Sequence, residues 1–289
     1  MHVMPLEPDI ESIFLKFLMR DITSNFFALL NMRFHREKTK FWVALEKNTK
    51  VIGYLLEHDA RVINLRGDVR CAAELLKMTD LVKPELNVEP AHVQTVKMFY
   101  EPINPIGYSR DKVNVISAME VDKKRFKPII TCYPKKLGAS EFSALKELYV
   151  KFYDEMILGP ITREQIREIL NRCIRYGITY GIYDGRELVS FASGNGTLEN
   201  VAHIAPVYTL QKFRRRGYAT SACSALVREL LNNNEKTILF VSEKNVAALK
   251  VYEKIGFVRT GHTFLTFRAR KIEREVAASD RKSSWVSYS

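Results

Sequence analysis

The chain has 289 residues, of which 46% are hydrophobic and 27% charged, a balance that excludes wholesale disorder. At roughly 150 residues per domain it holds about two domains, each large enough to bury a core without a disulfide or metal staple. Lys+Arg 45 against Asp+Glu 33 leaves a net charge of +12, which fits an anionic partner such as nucleic acid, a lipid surface or a phosphate-rich cofactor.

No stretch approaches the roughly eighteen apolar residues of a membrane span. Glu7, Asp9 and Glu11 precede the first apolar run, which is wrong for a secretory signal. Cys71, Cys132, Cys173 and Cys223 lie far apart, without a CxxC pair or a His at ligand spacing. They read as reduced, mostly buried thiols of a cytoplasmic protein, and no metal site is expected. Gln occurs only at positions 94, 165 and 211 while Lys, Arg and Glu abound, a bias that leans toward a thermophilic source.

The chain opens helical, with Ile10, Ile13, Phe14, Phe17 and Leu18 at helical spacing, and Phe26, Leu29 and Leu30 continue the pattern over 21–33. Strands are predicted at Phe41–Leu45, Val51–Leu56 and Val62–Leu65. Asp68 caps a helix through Ala72, Leu75 and Leu76, and strands follow at Thr95–Phe99 and Val113–Met119. The basic, Pro- and Gly-containing stretch Val121–Ser140 marks a domain boundary. This gives an accessory domain over 1–130, a second domain over 131–272 and a flexible polar tail over 273–289.

The second domain begins with a helix from Ser140 and Glu141 through Leu145, Leu148 and Phe152. Another follows, with Pro160 near its start and Ile166, Ile169 and Leu170 on its face. A meander comes next: strand Ile178–Tyr183, turn Asp184-Gly185, strand Leu188–Ser193 broken by Gly194 and Gly196, strand Val201–Thr209. The remaining elements are a helix from Gly217 to Leu231, a strand at Thr237–Val241, a helix from Asn245 stopping at Gly256, and strand from Phe257 onward. The two halves share a coarse order of helices, meander, helix and strands, as a duplication would produce.

The stretch that carries chemistry is Val201–Phe257. A buried strand ends at Val207-Tyr208-Thr209, a loop runs through Lys212 and Arg214-Arg215-Arg216, and a helix starts after Gly217. A helix start offers unpaired N–H groups and a partial positive charge, so it suits a phosphate. Gly217 permits a close approach or positive φ, and Ala219 keeps the first turn small. On charge alone the arginines read rather as a solvated run before an ordinary helix.

Arg214-x-x-Gly217-x-Ala219 after a strand has the form [Q/R]-x-x-G-x-[G/A]. Asn245-x-x-Ala248-x-x-x-Tyr252-x-x-x-Gly256-Phe257 then follows an apolar strand. In this order and spacing the two motifs resemble the GNAT superfamily of acyl-CoA-dependent N-acyltransferases, over about residues 139–270. The resemblance implies an α/β (mixed α+β) GNAT fold with a splayed mixed sheet, preceded here by a second, degenerate GNAT-like domain. It implies acetyl-CoA as co-substrate, no metal, and direct transfer of the acetyl group to a primary amine in a ternary complex. The implied cofactor contacts are the main chain of Val207, Tyr208 and Thr209. To these it adds the loop and helix start Arg214, Arg215, Arg216, Gly217, Tyr218, Ala219 and Thr220, and Asn245 with Ala248.

Within that resemblance Val207 N–H is the oxyanion donor and Pro206 leaves an unpaired strand edge. Tyr252 is the acid that protonates the departing thiolate, its alternative being a core aromatic. Asn245 is also readable as a plain N-cap. For the general base, His203 stands where several family members carry Glu, and period-two alternation puts it on the face of Val207. Its alternative is a structural histidine. Glu199 is the second candidate, its alternative a solvated loop carboxylate. The N-terminal half shows no pyrophosphate loop, although Gly67-Asp68-Val69-Arg70 precedes a helix in the corresponding place. Its role is either to wall the acceptor side of the cleft or simply to pack. Two other classes stay open: an RNA-associated acetyltransferase or nucleic-acid-binding protein, favoured by the charge and by Arg268-Ala269-Arg270-Lys271, and a non-catalytic acyl-CoA sensor. A small-molecule or peptide amine is the expected acceptor, with no membrane partner; oligomeric state is unspecified.

Overall fold

The computed structural model describes residues 1–58, 62–78, 85–92, 108–156, 162, 164, 166–167, 169–171 and 177–271. The strand expected at 95–99, Pro160 and the tail 273–289 lie outside the described residues. The first half runs β1 (His2–Pro5), α1 (Pro8–Met19), α2 (Ile22–Phe34), β2 (Thr39–Glu46), β3 (Lys50–His58), β4 (Val62–Gly67), α3 (Ala72–Lys77), β5 (Glu85–His92) and β6 (Tyr108–Asp122). The second runs β7 (Lys135–Lys136), α4 (Phe142–Met156), β8 (Thr179–Asp184), β9 (Glu187–Leu198), β10 (Val201–Thr209), α5 (Tyr218–Asn233), β11 (Lys236–Ser242), α6 (Val246–Lys254) and β12 (Val258–Lys271). The shared order is therefore explicit: edge strand, helix, meander, helix, parallel strand, closing strand.

All twelve strands form one mixed sheet in the order β1-β2-β3-β4-β5-β12-β6-β11-β10-β9-β8-β7. The halves exchange their closing strands. β12, the last strand of the second half, pairs antiparallel with β5 of the first. β6, the last strand of the first half, pairs antiparallel with the whole of β11, from Lys236↔Asp122 to Ser242↔Ile116. β6 and β12 then pair with each other at the centre of the sheet.

Each core is accordingly shared. Met119 and Val121 of β6 pack with the second half's Leu226, Val227, Leu239 and Ile255. Leu198, Val201 and Ile238 pack with the first half's Phe14, Phe26 and Tyr54. α2 is enclosed on several sides, so Thr23, Ser24, Asn25 and Asn31 are buried with Phe26 and Leu29. Its polar groups are satisfied inside: Asn25 Nδ2 donates to the Leu18 carbonyl at 3.0 Å, and Asn25 Oδ1 accepts from the Tyr54 hydroxyl at 3.1 Å.

Three local expectations are revised. A short strand, β1, precedes the first helix and pairs with β2; four residues are too few to show alternation. Gly194 and Gly196 do not break β9, which runs through them to Leu198, because Gly194 keeps its ladder by donating to the Ile178 carbonyl at 2.7 Å. Asp68 does not cap α3, whose N-cap is Cys71; the chain first makes a 3-10 turn, Val69–Cys71, and Asp68 stands ahead of it.

Because β11 borrows an edge partner, the second half is incomplete by itself. Residues 131–289 expressed alone should show no cooperative thermal transition, and fusing residues 108–122 back should restore one. A cooperative melt of 131–289 alone, followed by circular dichroism, would contradict the exchange.

Candidate active site

β10 and β11 lie side by side and parallel, but their register holds only for Val201↔Lys236, Ala202↔Thr237 and His203↔Ile238. Beyond these the strands diverge into a wedge, while β9 keeps its hold on β10 and β6 on β11. Leu210 N–H donates to the Val189 carbonyl at 3.0 Å. Antiparallel pairs alternate between bonded and non-bonded, so the main-chain groups of Tyr208 point to β9, and those of Val207 and Thr209 point to the open edge. Tyr208 thus departs from the expected contact set: its side chain is buried, and its hydroxyl donates to Glu155 at 2.5 Å.

The wedge opens toward the start of α5. Gly217 is the N-cap in the left-handed region, φ 81° and ψ 1°, and no side chain caps the first turn. A side chain at this position is strained, and its Cβ would stand 2.9 Å from Thr131 Oγ1. The first-turn N–H groups are therefore left for an anion, as the loop motif implies. The cationic side chains are arranged differently from the expectation. Lys212 pairs with Glu187 at 3.0 Å, Arg216 with Asp184 at 3.1 Å, and Arg214 with Glu155. Tyr218 also donates to Asp184, at 2.9 Å. Among the described residues Arg215 alone of these cations has no ion-pair partner, and it carries φ 65°.

The second motif forms α6. Asn245 is its N-cap and accepts from Ala248 N–H at 3.1 Å, so both sit in the cap itself. Tyr252 faces α5, buried beside Phe257 at 5.8 Å between ring centres. Burial, reinforced by the nearby Cys223 thiol, raises the pKa of its phenol, which keeps it protonated at neutral pH.

His203 and Glu199 are not brought to the mouth. On β10 Ile204 faces Gly194 and Val207 faces Ala192, three residues against two, at a bulge that contains the cis Ala205–Pro206 bond. One extra residue inverts the alternation, so Ile204 shares a face with Val207 and its neighbour His203 takes the other. His203 is buried among Phe26 at 5.0 Å, Phe240 at 5.5 Å and Phe27 at 5.6 Å, and its Nδ1 has no hydrogen-bond partner. Burial lowers its pKa to about 4. Glu199 sits in the turn before β10, exposed and 3.7 Å from Arg33. Eight residues separate it from Val207, roughly 25 Å along a strand.

A wedge between parallel strands, opened at an uncapped helix start, is the arrangement the two motifs imply. Residues 142–257 match the family model described as the acetyltransferase (GNAT) family. The match falls wholly within the second half. A Drosophila protein aligns over 93% of this chain and 98% of its own, with TM-score 0.66 and 14% identity. An acetyltransferase of the GNAT family from Colwellia psychrerythraea aligns over 94% and 100%, with TM-score 0.60 and 14% identity. A tandem GNAT protein from the clavulanic acid biosynthesis pathway aligns over 93% and 98%, with TM-score 0.58 and 13% identity. At these identities the likeness is one of fold, and it extends to the first half. No curated protein sequence matches the chain.

The first half repeats this arrangement of strands with its own wedge, since β4 and β5 pair only at Val62↔Asn87 and Ile63↔Val88 among the described residues. Its helix start differs. Asp68 accepts from Arg70 N–H at 2.9 Å and from the Arg70 guanidinium at 2.6 Å, and these bonds hold its pKa down to about 2. A carboxylate thus caps the 3-10 turn Val69–Cys71 that leads into α3, whereas no side chain caps the start of α5. The two features that reading the sequence did not single out are Glu155 and Thr131. Each meets the loop only through tertiary contact, with no local signal.

The lowered pKa of His203 has a checkable sign. A histidine buried neutral costs stability on acidification, as the unfolded chain gains its proton near pH 6.5 and the folded one only near 4. Replacing His203 with Leu should flatten the loss of stability between those values, by on the order of 3 kcal/mol if the site stays packed. Denaturant melts of both proteins at stepped pH measure this, and parallel curves would refute it.

Proposed function

We propose that the second half is an acyl-CoA-dependent N-acyltransferase that transfers acetyl directly from acetyl-CoA to a primary amine. The observation that carries the reading is the wedge: Val207 N–H at an unpaired strand edge, next to the bare start of α5. In this reading the α5 amides and Arg215 hold the pyrophosphate, and pantetheine completes the open edge at Val207 and Thr209. The amine nitrogen bonds to the acetyl carbon, and Val207 N–H receives the charge that develops on the oxygen. Collapse breaks the C–S bond: the Tyr252 hydroxyl gives its proton to the thiolate, and the surplus proton of the attacking nitrogen passes through solvent to restore the Tyr252 hydroxyl. Direct transfer is supported by Cys223, whose thiol is fully buried and pushed up to about 12, leaving it too little thiolate to serve as an acyl carrier. His203 has no part in this scheme. The free Cys71, Cys132 and Cys223 agree with a cytoplasmic location.

The first half, residues 1–130 in this division, supplies β6 and α2 to the catalytic half and is proposed to bind no cofactor, because the Asp68 carboxylate stands on the 3-10 turn Val69–Cys71 that leads into α3.

Gly217→Glu should abolish CoA binding in calorimetry, since it adds a like charge at the phosphate position and a backbone strain of about 1–2 kcal/mol. Wild-type affinity in a folded variant would overturn the phosphate assignment. Tyr252→Phe should lower kcat by about tenfold to a thousandfold with CoA affinity retained. An unchanged kcat would remove Tyr252 from the reaction.

A further inference from the structure

We propose that the recess between α4 and the loop after β10 is the seat of the acceptor, with Glu155 as the carboxylate that holds its ammonium group and Arg214 as the residue that closes the seat until acyl-CoA binds. This rests on the acyl-CoA reading above. The recess has a volume of about 400 Å³ and is lined by Lys151, Glu155, Tyr208, Leu210, Gln211 and Lys212. Its position follows from Tyr208. That residue adjoins Val207, whose N–H points into the wedge, and its side chain reaches across to α4, packing on Phe152 at 6.0 Å. The recess therefore lies along the C-terminal end of β10, starting at the residue next to Val207.

Glu155 is held there by two partners with different allegiances. One oxygen accepts the Tyr208 hydroxyl at 2.5 Å, a contact internal to the recess. The other accepts the guanidinium of Arg214, the first residue of the phosphate-loop motif. Arg214 Nε also donates to the Thr209 carbonyl at 3.0 Å, at the open edge of β10. The side chain thus belongs to the cofactor loop but is neutralised by the acceptor side. An exposed ion pair is weak and exchanges readily. A diphosphate at the start of α5 offers more charge and bidentate geometry, so it takes Arg214 from Glu155. The carboxylate is then left with Tyr208 and an open coordination for an ammonium group.

The remaining charges narrow the class of acceptor. Lys212 is already paired with Glu187 at 3.0 Å. Lys151 has no ion-pair partner among the described residues and stands on the same helix face one turn before Glu155. A seat with one carboxylate and one ammonium suits an amine that also carries a carboxylate, such as an amino acid. The order of events follows as well: acyl-CoA first, acceptor second.

Two measurements test this with CoA and glycine as probes. Calorimetry should find that Glu155→Gln binds CoA about two- to fivefold more tightly than wild type, because Arg214 no longer has to be drawn from a carboxylate. Saturation-transfer NMR should detect glycine on the wild-type protein only when CoA is present, and not on Glu155→Gln with CoA. Equal or weaker CoA binding by Glu155→Gln overturns the gate. Glycine binding that ignores CoA, persists in Glu155→Gln or is absent from CoA-saturated wild type overturns the seat. A wild-type protein that fails to bind CoA overturns the parent reading instead.

Discussion

The wedge between β10 and β11 exists because each strand is held from outside. Two parallel strands with free outer edges would gain hydrogen bonds by closing on each other along their whole length. Here β9 fixes β10 and β6 fixes all seven residues of β11, so both can part after three pairs without becoming free edges. The outer clamp on β11 belongs to the first half of the chain. The first half is thus structurally necessary to the wedge of the second.

The same exchange explains why the two halves diverged in one place and not in another. Strand order, wedge and closing strand are common to both, because each half uses the other's copy. The helix starts are free of that constraint. In one, Gly217 leaves the first turn of α5 without a side-chain cap; in the other, Asp68 caps a 3-10 turn, Val69–Cys71, and α3 shortens to six residues.

Much of the second half is legible in the sequence because its signals are local. Gly217 two residues before Ala219, a small-residue helix face and an Asn N-cap on α6 each act within one turn, and each is where the spacing puts it. The failures are of another kind. His203 and Val207 are four residues apart, and period two joins them; a single extra residue between Ile204 and Val207 separates them, and nothing in Ala205-Pro206 announces a bulge by itself. The arginines look like a cationic cluster when read in order, but their carboxylates come from β8 and α4, 32 and 59 positions away. Neighbours in the chain predict a turn; only the assembled sheet decides who neutralises whom.

The crossing of β6 and β12 also sets a timetable. A ribosome releases β5 well before its antiparallel partner, since Phe264, the partner of His92, lies far downstream in the chain. The first half must therefore wait, with one edge of β5 unsatisfied, until β12 has been made. A protein laced in this way completes both halves together or neither, and its nascent form presents an exposed strand that chaperones have time to meet.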